Sequence, residues 1–312
     1  MDENRRPLIT VAIPTYNQPV FLQQAIESVL EQTYVDFELI IVDDCSTDHT
    51  ESVVKSFSDV RIRYYKTERN LRPPRSWNYA ARLALGSYFT LLPHDDIWAK
   101  NFLYEMLKII EYDKSVAFVQ CNFHGININS IKINESSNLN DINFSNGIEA
   151  LEWHIKNLRC NPAALLFDLN KMRNEGFWRE DYWDDWALII RLAYKHGFSY
   201  TSKVYSFVRS HEHNLSNILA KEGRPGALYV IDQLFDIFSK TLPHTTQTLS
   251  VFMREIRFLS TSIFITSVKL ALKGEIKKAL NYYKLSRKIN PLIPFDYQII
   301  LRILNKIINK YY

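Results

Sequence analysis

Cysteine is scarce in this chain of 312 residues: Cys45, Cys121 and Cys160 are the only three. An odd count without paired spacing supports neither a disulfide framework nor a zinc site, and it makes a reducing, cytoplasmic setting the default. No stretch approaches the roughly 18 to 20 apolar residues of a spanning helix, so a membrane would be met only from the side. The N-terminus, Met1-Asp2-Glu3-Asn4-Arg5-Arg6-Pro7, is charged, and the apolar run behind it extends only from Leu8 to Ile13, which is not the layout of a signal peptide. Two phosphate-binding loops are missing as well. No Gly-x-Gly-x-x-Gly follows the first predicted strand and no Gly-Lys-Ser/Thr loop occurs, so neither dinucleotide binding nor P-loop chemistry is supported.

What is present is globular. With 46% hydrophobic and 23% charged residues and no low-complexity tract, the chain has ordinary usage and enough length for a full core, as one large domain or one domain with an appendage. The net charge of +4 is unevenly spread: from Ser250 to Tyr312 twelve Lys and Arg face three Asp and Glu, which leaves the rest of the chain net acidic. No nucleic-acid partner is expected, because the basic tail lacks a recognised binding module and the interleaved aromatic platform of one.

Strand and helix patterns alternate from the start. Leu8 to Ile13 is a β-branched run closed by Pro14, and Gln18 to Gln32 carries apolar residues at helical spacing. Phe37 to Val42, Arg61 to Lys66, Ser87 to Leu92 and Val116 to Gln120 read as further strands, with helices predicted to about Phe57, over Arg75 to Leu85 and over Ala99 to Tyr112. Such alternation predicts a doubly wound, mainly parallel sheet. Asn122 to Asn146 shows no period and reads as a surface excursion or irregular hairpin, Ala163 to Phe167 as extended chain, and Asp184-Asp185-Trp186 as the opening of a helix. Phe198 to Val208 reads as strand, followed by the polar loop Arg209-Ser210-His211-Glu212-His213-Asn214, and the chain from Pro225 onward as helix. Ala271 to Pro291 faintly resembles half of a tetratricopeptide-type hairpin.

The run Ser87 to Leu92 stops at Pro93 and releases His94-Asp95-Asp96 into a loop, since proline cannot donate to a ladder. Ligands of open parallel sheets bind beyond the carboxyl ends of the strands, and two neighbouring carboxylates there want water, hydroxyls or a cation. The same residues also suit a plain turn at Asp95 and an N-cap at Asp96. Pro14-Thr15-Tyr16-Asn17 and Asp43-Asp44 with Ser46 and Asp48 end two other strands, so all three polar turns are expected on one edge of the sheet.

Ala12-Ile13-Pro14-Thr15-Tyr16-Asn17, Ala25-Ile26-Glu27-Ser28-Val29-Leu30-Glu31-Gln32-Thr33-Tyr34 and Ile41-Val42-Asp43-Asp44-Cys45-Ser46-Thr47-Asp48 resemble the nucleotide-binding half of family 2 glycosyltransferases, inverting enzymes of the GT-A fold. The likeness continues through Asn70, Asn78, Gly86-Ser87-Tyr88 and Asp95-Asp96 to Asp184-Asp185-Trp186 and Arg191, roughly residues 8 to 215. It implies an α/β, Rossmann-like mixed and mainly parallel sheet flanked by helices over residues 1–220, with an all-helical extension over 221–312. It also implies transfer of a hexosyl or N-acetylhexosaminyl group from a nucleoside-diphosphate sugar to a glycan or lipid-linked acceptor in surface-polysaccharide synthesis, at the inner face of the cell membrane. Pro14, Thr15 and Tyr16 would line the base, with the Tyr16 ring stacked on it, and Asp44 would accept from the base N–H, which suits uracil. Arg75 would grip the diphosphate, with Arg72 as a competitor. Asp95 would face the ribose and Asp96 the metal, Mn²⁺ or Mg²⁺, with His211 completing the metal shell or closing over the diphosphate. Asp185 would be the catalytic base, with Asp184 supporting it or the acceptor. The chain departs from the family pattern in two places. Pro93 stands where many members carry a further acid, which leaves room for a catalytically silent nucleotide- or glycan-binding relative, and Cys45 stands where glycine is common and is expected to be a small packed residue.

In the tail, Ile300, Ile303, Leu304, Ile307 and Ile308 share one side of a predicted helix over Ile299 to Lys310, with Arg302, Lys306 and Lys310 on the other. A basic amphipathic helix of this kind can lie in the headgroup plane of anionic lipid, and it can equally pack on a neighbouring helix. The full chain is expected to sediment with anionic liposomes at low salt and to release at high salt, whereas a chain lacking residues 295–312 stays in the supernatant; no salt-sensitive sedimentation of the full chain would rule out the membrane role.

Overall fold

The structure, a computed structural model, describes residues 6–134, 138–157, 161–179, 185–212, 214, 245–272 and 283–284. The chain divides into two compact units, Met1–Asn214 and Leu215–Tyr312. Among the described residues no helix is long and apolar enough to cross a membrane.

The first unit is built on one ten-stranded sheet among the described residues, in the order β3-β2-β1-β4-β9-β6-β10-β5, with β7 beside β6 and β8 beside β10. Its strands are β1 (Ile9–Thr15), β2 (Phe37–Asp43), β3 (Ile62–Lys66), β4 (Tyr88–Leu91), β5 (Ile97–Trp98), β6 (Phe118–Ile126), β7 (Lys132–Asn134), β8 (Ile142–Phe144), β9 (Leu165–Asp168) and β10 (Phe198–Arg209). β3, β2, β1 and β4 are mutually parallel, β9 is antiparallel to both β4 and β6, and β10 runs parallel to β6. Helices α1 (Pro19–Leu30), α2 (Thr50–Lys55), α3 (Arg75–Leu83), α4 (Phe102–Tyr112), α5 (Ile148–Asn157), α6 (Leu169–Asn174) and α7 (Asp185–His196) complete the unit.

β1 and β2 are buried along their whole length because both faces of the sheet are covered. Alternate residues separate cleanly. Ile9, Val11, Ile13, Leu39 and Ile41 pack with Leu22, Ile26 and Val29 of α1 and Met106 and Ile110 of α4. Ala12, Ile40 and Val42 pack on the other face with Ala80 and Ala81 of α3 and Leu188 and Leu192 of α7. Pro14 lies inside β1 without penalty. The β4 ladder stops at Ala12↔Leu91, so the missing N–H on that side meets no partner strand.

Long-range packing moved several predicted boundaries. The helix expected from Ala99 begins at Phe102, because Trp98 is held back in β5: its ring stacks on Phe102 at 4.0 Å and its indole N–H donates to the carbonyl of Ala163 at 2.6 Å. Asp96 therefore caps no helix. The patternless segment after Cys121 is the end of β6, a turn in which Asn127 Oδ1 accepts from the N–H groups of Asn129 and Ile131, and the short strands β7 and β8. Ala163 and Ala164 form a 3₁₀ turn, and β9 is inserted antiparallel between β4 and β6. In the second unit Thr245 caps helix α8 (Thr246–Leu272), its hydroxyl accepting from Thr248 N–H at 3.1 Å. The amphipathic helix expected over 299–310 and most of the hairpin over 271–291 lie outside the described residues.

Gly86, between α3 and β4, touches β1 backbone: a Cβ there would stand 2.7 Å from Thr10 N and 2.9 Å from the Ile9 carbonyl carbon. Its N–H donates to Thr10 Oγ1, which donates in turn to the buried Glu38 carboxylate at 2.6 Å. Gly86→Ala is expected to lower stability by about 1–3 kcal/mol, the usual cost of overpacking against atoms that cannot move aside. A urea midpoint equal to that of the parent would contradict this.

Candidate active site

The three polar turns meet at the carboxyl ends of β1, β2 and β4 and are bonded into one surface. Asp44 N–H donates to the Thr15 carbonyl at 2.8 Å, Asn17 N–H to Ser46 Oγ at 3.0 Å, and Thr47 N–H to Asn17 Oδ1 at 2.9 Å, while His94 Nδ1 lies 3.2 Å from the Pro14 carbonyl. Asn17 and Cys45 both sit at positive φ, +50° and +68°. That region suits glycine and tolerates asparagine, which explains why glycine fits the position of Cys45. The expectation of a small packed residue at Cys45 is thus corrected: the side chain is only half-buried and the backbone is left-handed.

Each acidic residue of the second turn has a defined task. Asp43 is fully buried and accepts from Ser46 N–H at 2.7 Å and from the Tyr64 hydroxyl at 2.6 Å. Asp44 reaches the other way and clasps the loop after β3, accepting from Leu71 N–H at 2.6 Å, Arg72 N–H at 2.8 Å and Thr67 Oγ1 at 3.2 Å. Burial pushes the Asp44 carboxyl above its ordinary value against the pull of those N–H donors. Of the residues expected at the base, Pro14 and Thr15 are buried in β1, and Tyr16 presents a ring that is 43% exposed. The Thr15 hydroxyl is buried with no hydrogen-bond partner among the described residues. Arg75 is exposed at the first position of α3.

The third turn holds the two carboxylates in unlike settings. Asp95 Oδ2 accepts from His211 Nε2 at 3.0 Å and from Asn214 Nδ2 at 2.8 Å. Burial alone would raise the Asp95 carboxyl, but the His211 hydrogen bond, together with the electrostatic pull of His94 and His211, brings it below the ordinary value. Asp96 Oδ1 accepts from the backbone N–H of Arg209 at 2.8 Å, and burial, followed by the neighbouring Asp95 charge, pushes this carboxyl well above its ordinary value. Arg209, assigned from sequence to a polar loop, is the last residue of β10 and is 2% exposed. The signal for it was available: an apolar strand runs into Arg209 with no turn residue between them. Asp185 opens α7 and its side chain, like Asp184, lies outside the described residues.

Among the described residues no group of three or more His, Cys, Asp and Glu side chains is disposed to hold a metal ion. His211 Nε2 is turned to Asp95, so His211 becomes a ligand only by leaving that bond. The donor set nevertheless fits a hard cation of the kind held by one or two carboxylates and completed by substrate phosphates and water. Asp96, buried beside a second carboxylate, is the group that gains most from such a charge.

The family model for glycosyl transferase family 2 matches residues 10–173, more than half of the chain. The chain belongs to this family. It is 36% identical over 124 residues to UDP-Glc:alpha-D-GlcNAc-diphosphoundecaprenol beta-1,3-glucosyltransferase WfgD of Escherichia coli, covering 40% of this chain and 49% of that protein. The chain spans half or less of the length of the first curated relatives it matches. Its fold is that of the GT-A glycosyltransferases. S. aureus TarS 1-349 in complex with UDP-GlcNAc superimposes with a TM-score of 0.58 at 15% identity, covering 90% of this chain and 92% of that one. The mannosyltransferase PcManGT from Pyrobaculum calidifontis, in complex with GDP-Man and Mn²⁺, gives 0.58 at 16% identity, covering 94% and 89%.

The unlike carboxylates give opposite pH signatures in protein free of divalent cation. The raised Asp96 pKa contributes stability that is present at low pH and lost as pH rises through the folded value; the lowered Asp95 pKa contributes stability present above its unfolded value and lost as pH falls through the folded one. Asp96→Asn keeps an acceptor for Arg209 N–H and is expected to abolish the first loss, so that its melting temperature holds as pH rises. A parallel decline in parent and variant would show that Asp96 is not the group responsible.

Proposed function

We propose that this chain is an inverting, metal-dependent glycosyltransferase that moves a sugar from a UDP-sugar to a glycan or lipid-linked acceptor of cell-surface polysaccharide. The observation carrying this is the bonding of three strand-end turns into one surface that ends on Asp95 and Asp96. The UDP assignment is supported by an exposed Tyr16 ring beside Asp44, whose carboxylate, with about four acceptor sites, keeps capacity for a base N–H after its three present bonds. Sugar nucleotides in the relatives' names, UDP-Glc, UDP-GlcNAc and GDP-Man, support the donor class. Catalysis is assigned to residues 1–220, with 221–312 as a helical appendage.

Tyr16 stacks on the base, Asp44 accepts from it, Arg75 meets the diphosphate at the head of α3, and Asp95, held by His211 and Asn214, faces the ribose. Mn²⁺ or Mg²⁺ bound at Asp96 would supply Lewis-acid charge to the departing nucleoside diphosphate. At the acceptor, the Asp185 carboxylate takes the hydroxyl proton while that oxygen bonds to the anomeric carbon from the side opposite the diphosphate, which leaves with its bonding pair and inverts the centre. We assign the reaction to the cytoplasmic face of a membrane, on the basis of the diphosphoundecaprenol acceptor named for the E. coli relative and of the acid-poor tail.

Asp185→Asn is expected to keep its UDP-sugar affinity, read by thermal shift with Mn²⁺, while turnover falls by ~10² to 10⁴, the share of a general base. Loss of donor binding with no separate catalytic defect would make Asp185 a structural residue instead. Binding without turnover in the parent, across UDP-sugars and acceptors, would favour a silent relative.

A further inference from the structure

Arg209 stands where three parts of the site converge. β10 pairs antiparallel with β5 through Phe207↔Ile97, and two further residues along the same register bring Arg209 opposite Asp95. On its other side β10 pairs with β6 through Arg209↔Ile126, the last residue before the Asn127–Ser130 turn. All three guanidinium nitrogens are engaged. Nε donates to the Asp95 carbonyl at 2.8 Å; Nη1 donates to the carbonyls of Asn127 and Ile128 and to Ser130 Oγ, each at 3.1 Å; Nη2 donates to Gln24 Oε1 of α1 at 2.7 Å. The plane lies 4.8 Å over the Phe21 ring, and the backbone N–H of the same residue holds Asp96.

A buried guanidinium is costly to desolvate, and a lysine could not reproduce a planar fork that meets partners on three sides. The alternatives for fixing a turn are cheaper, as the Asn127 side chain shows by closing this turn on its own. What the arginine adds is the link from the turn to the carboxylates. We propose that Arg209 is a positioning residue that makes the Asp95-Asp96 loop, the Asn127–Ser130 turn and the middle of α1 one rigid rim of the donor site. The proposal rests on the nucleotide-sugar function given above for its kinetic consequence, and on geometry alone for its structural one.

Two measurements on the full-length Arg209→Lys variant test it. By hydrogen exchange, amides of residues 95–97 and 127–131 are expected to lose protection together, by about tenfold or more, as a shared local opening would require. By kinetics, turnover per folded molecule is expected to fall by up to ~10², the scale of a small misplacement at a reacting centre, with a raised Mn²⁺ half-saturation and a KM for acceptor that changes less. If that variant does not fold, Gln24→Leu leaves the arginine in place, removes one of its bonds, and should give the same pattern with smaller amplitude. Unchanged protection at either segment overturns the inference, and so does a lower melting temperature with unaltered kinetic constants in a parent that is active. A parent that turns over no nucleotide sugar overturns the functional reading instead, and the exchange data then decide Arg209 by themselves.

Discussion

Two adjacent carboxylates buried at the end of a sheet repel each other and lose their water, and the first unit is arranged around making that tolerable. Asp95 receives His211 and Asn214 on its side chain and Arg209 on its carbonyl; Asp96 receives one backbone N–H. The result is an asymmetric pair, one member held as an anion and the other pushed toward its neutral form. This asymmetry needs β10 to arrive beside β5 in one register, because Arg209, His211 and Asn214 all lie on the last strand and the turn after it. A two-residue strand at Ile97–Trp98, too short to matter for stability by itself, fixes that register through the buried Trp98 ring.

The other half of the surface is built from the first two turns. Left-handed backbone at Asn17 and Cys45 folds each turn back on its strand, and the crossed bonds between Asn17, Ser46 and Thr47 then prevent either from moving alone. Placing both turns at the same height depends on the parallel register Thr15↔Asp43, which the close approach of Gly86 to β1 supports from the opposite end of the strand.

Much of this was legible because the physics is local. β1, β2 and β4 carry continuous apolar runs that only a doubly covered sheet can bury, and the strand-terminating Pro93 and the acidic turn after Val42 mark where the edge lies. What escaped was set by residues far apart in the chain. Nothing near Asn122 to Asn146 announces two short strands, since β7 and β8 exist only by pairing with β6 and β10. Arg209 read as a solvated loop residue, although 113 positions separate it from the Asp96 that it serves. Asp95 and Asp96 were identified from their position, but their division of labour came from His211 and Asn214, whose roles depend on tertiary placement. The resemblance supplied a metal-ligand role for His211 that local sequence could not weigh against its bond to Asp95.

The loop after β3 is gripped by Asp44 through the amide groups of Leu71 and Arg72 rather than through their side chains. Its shape is therefore encoded in the partner, not in its own residues. Substitutions along Arg69 to Leu71 can alter charge and bulk at the mouth of the nucleotide pocket while the loop keeps its course, so that stretch offers a route by which related chains can diverge in donor preference without rebuilding the fold that presents it.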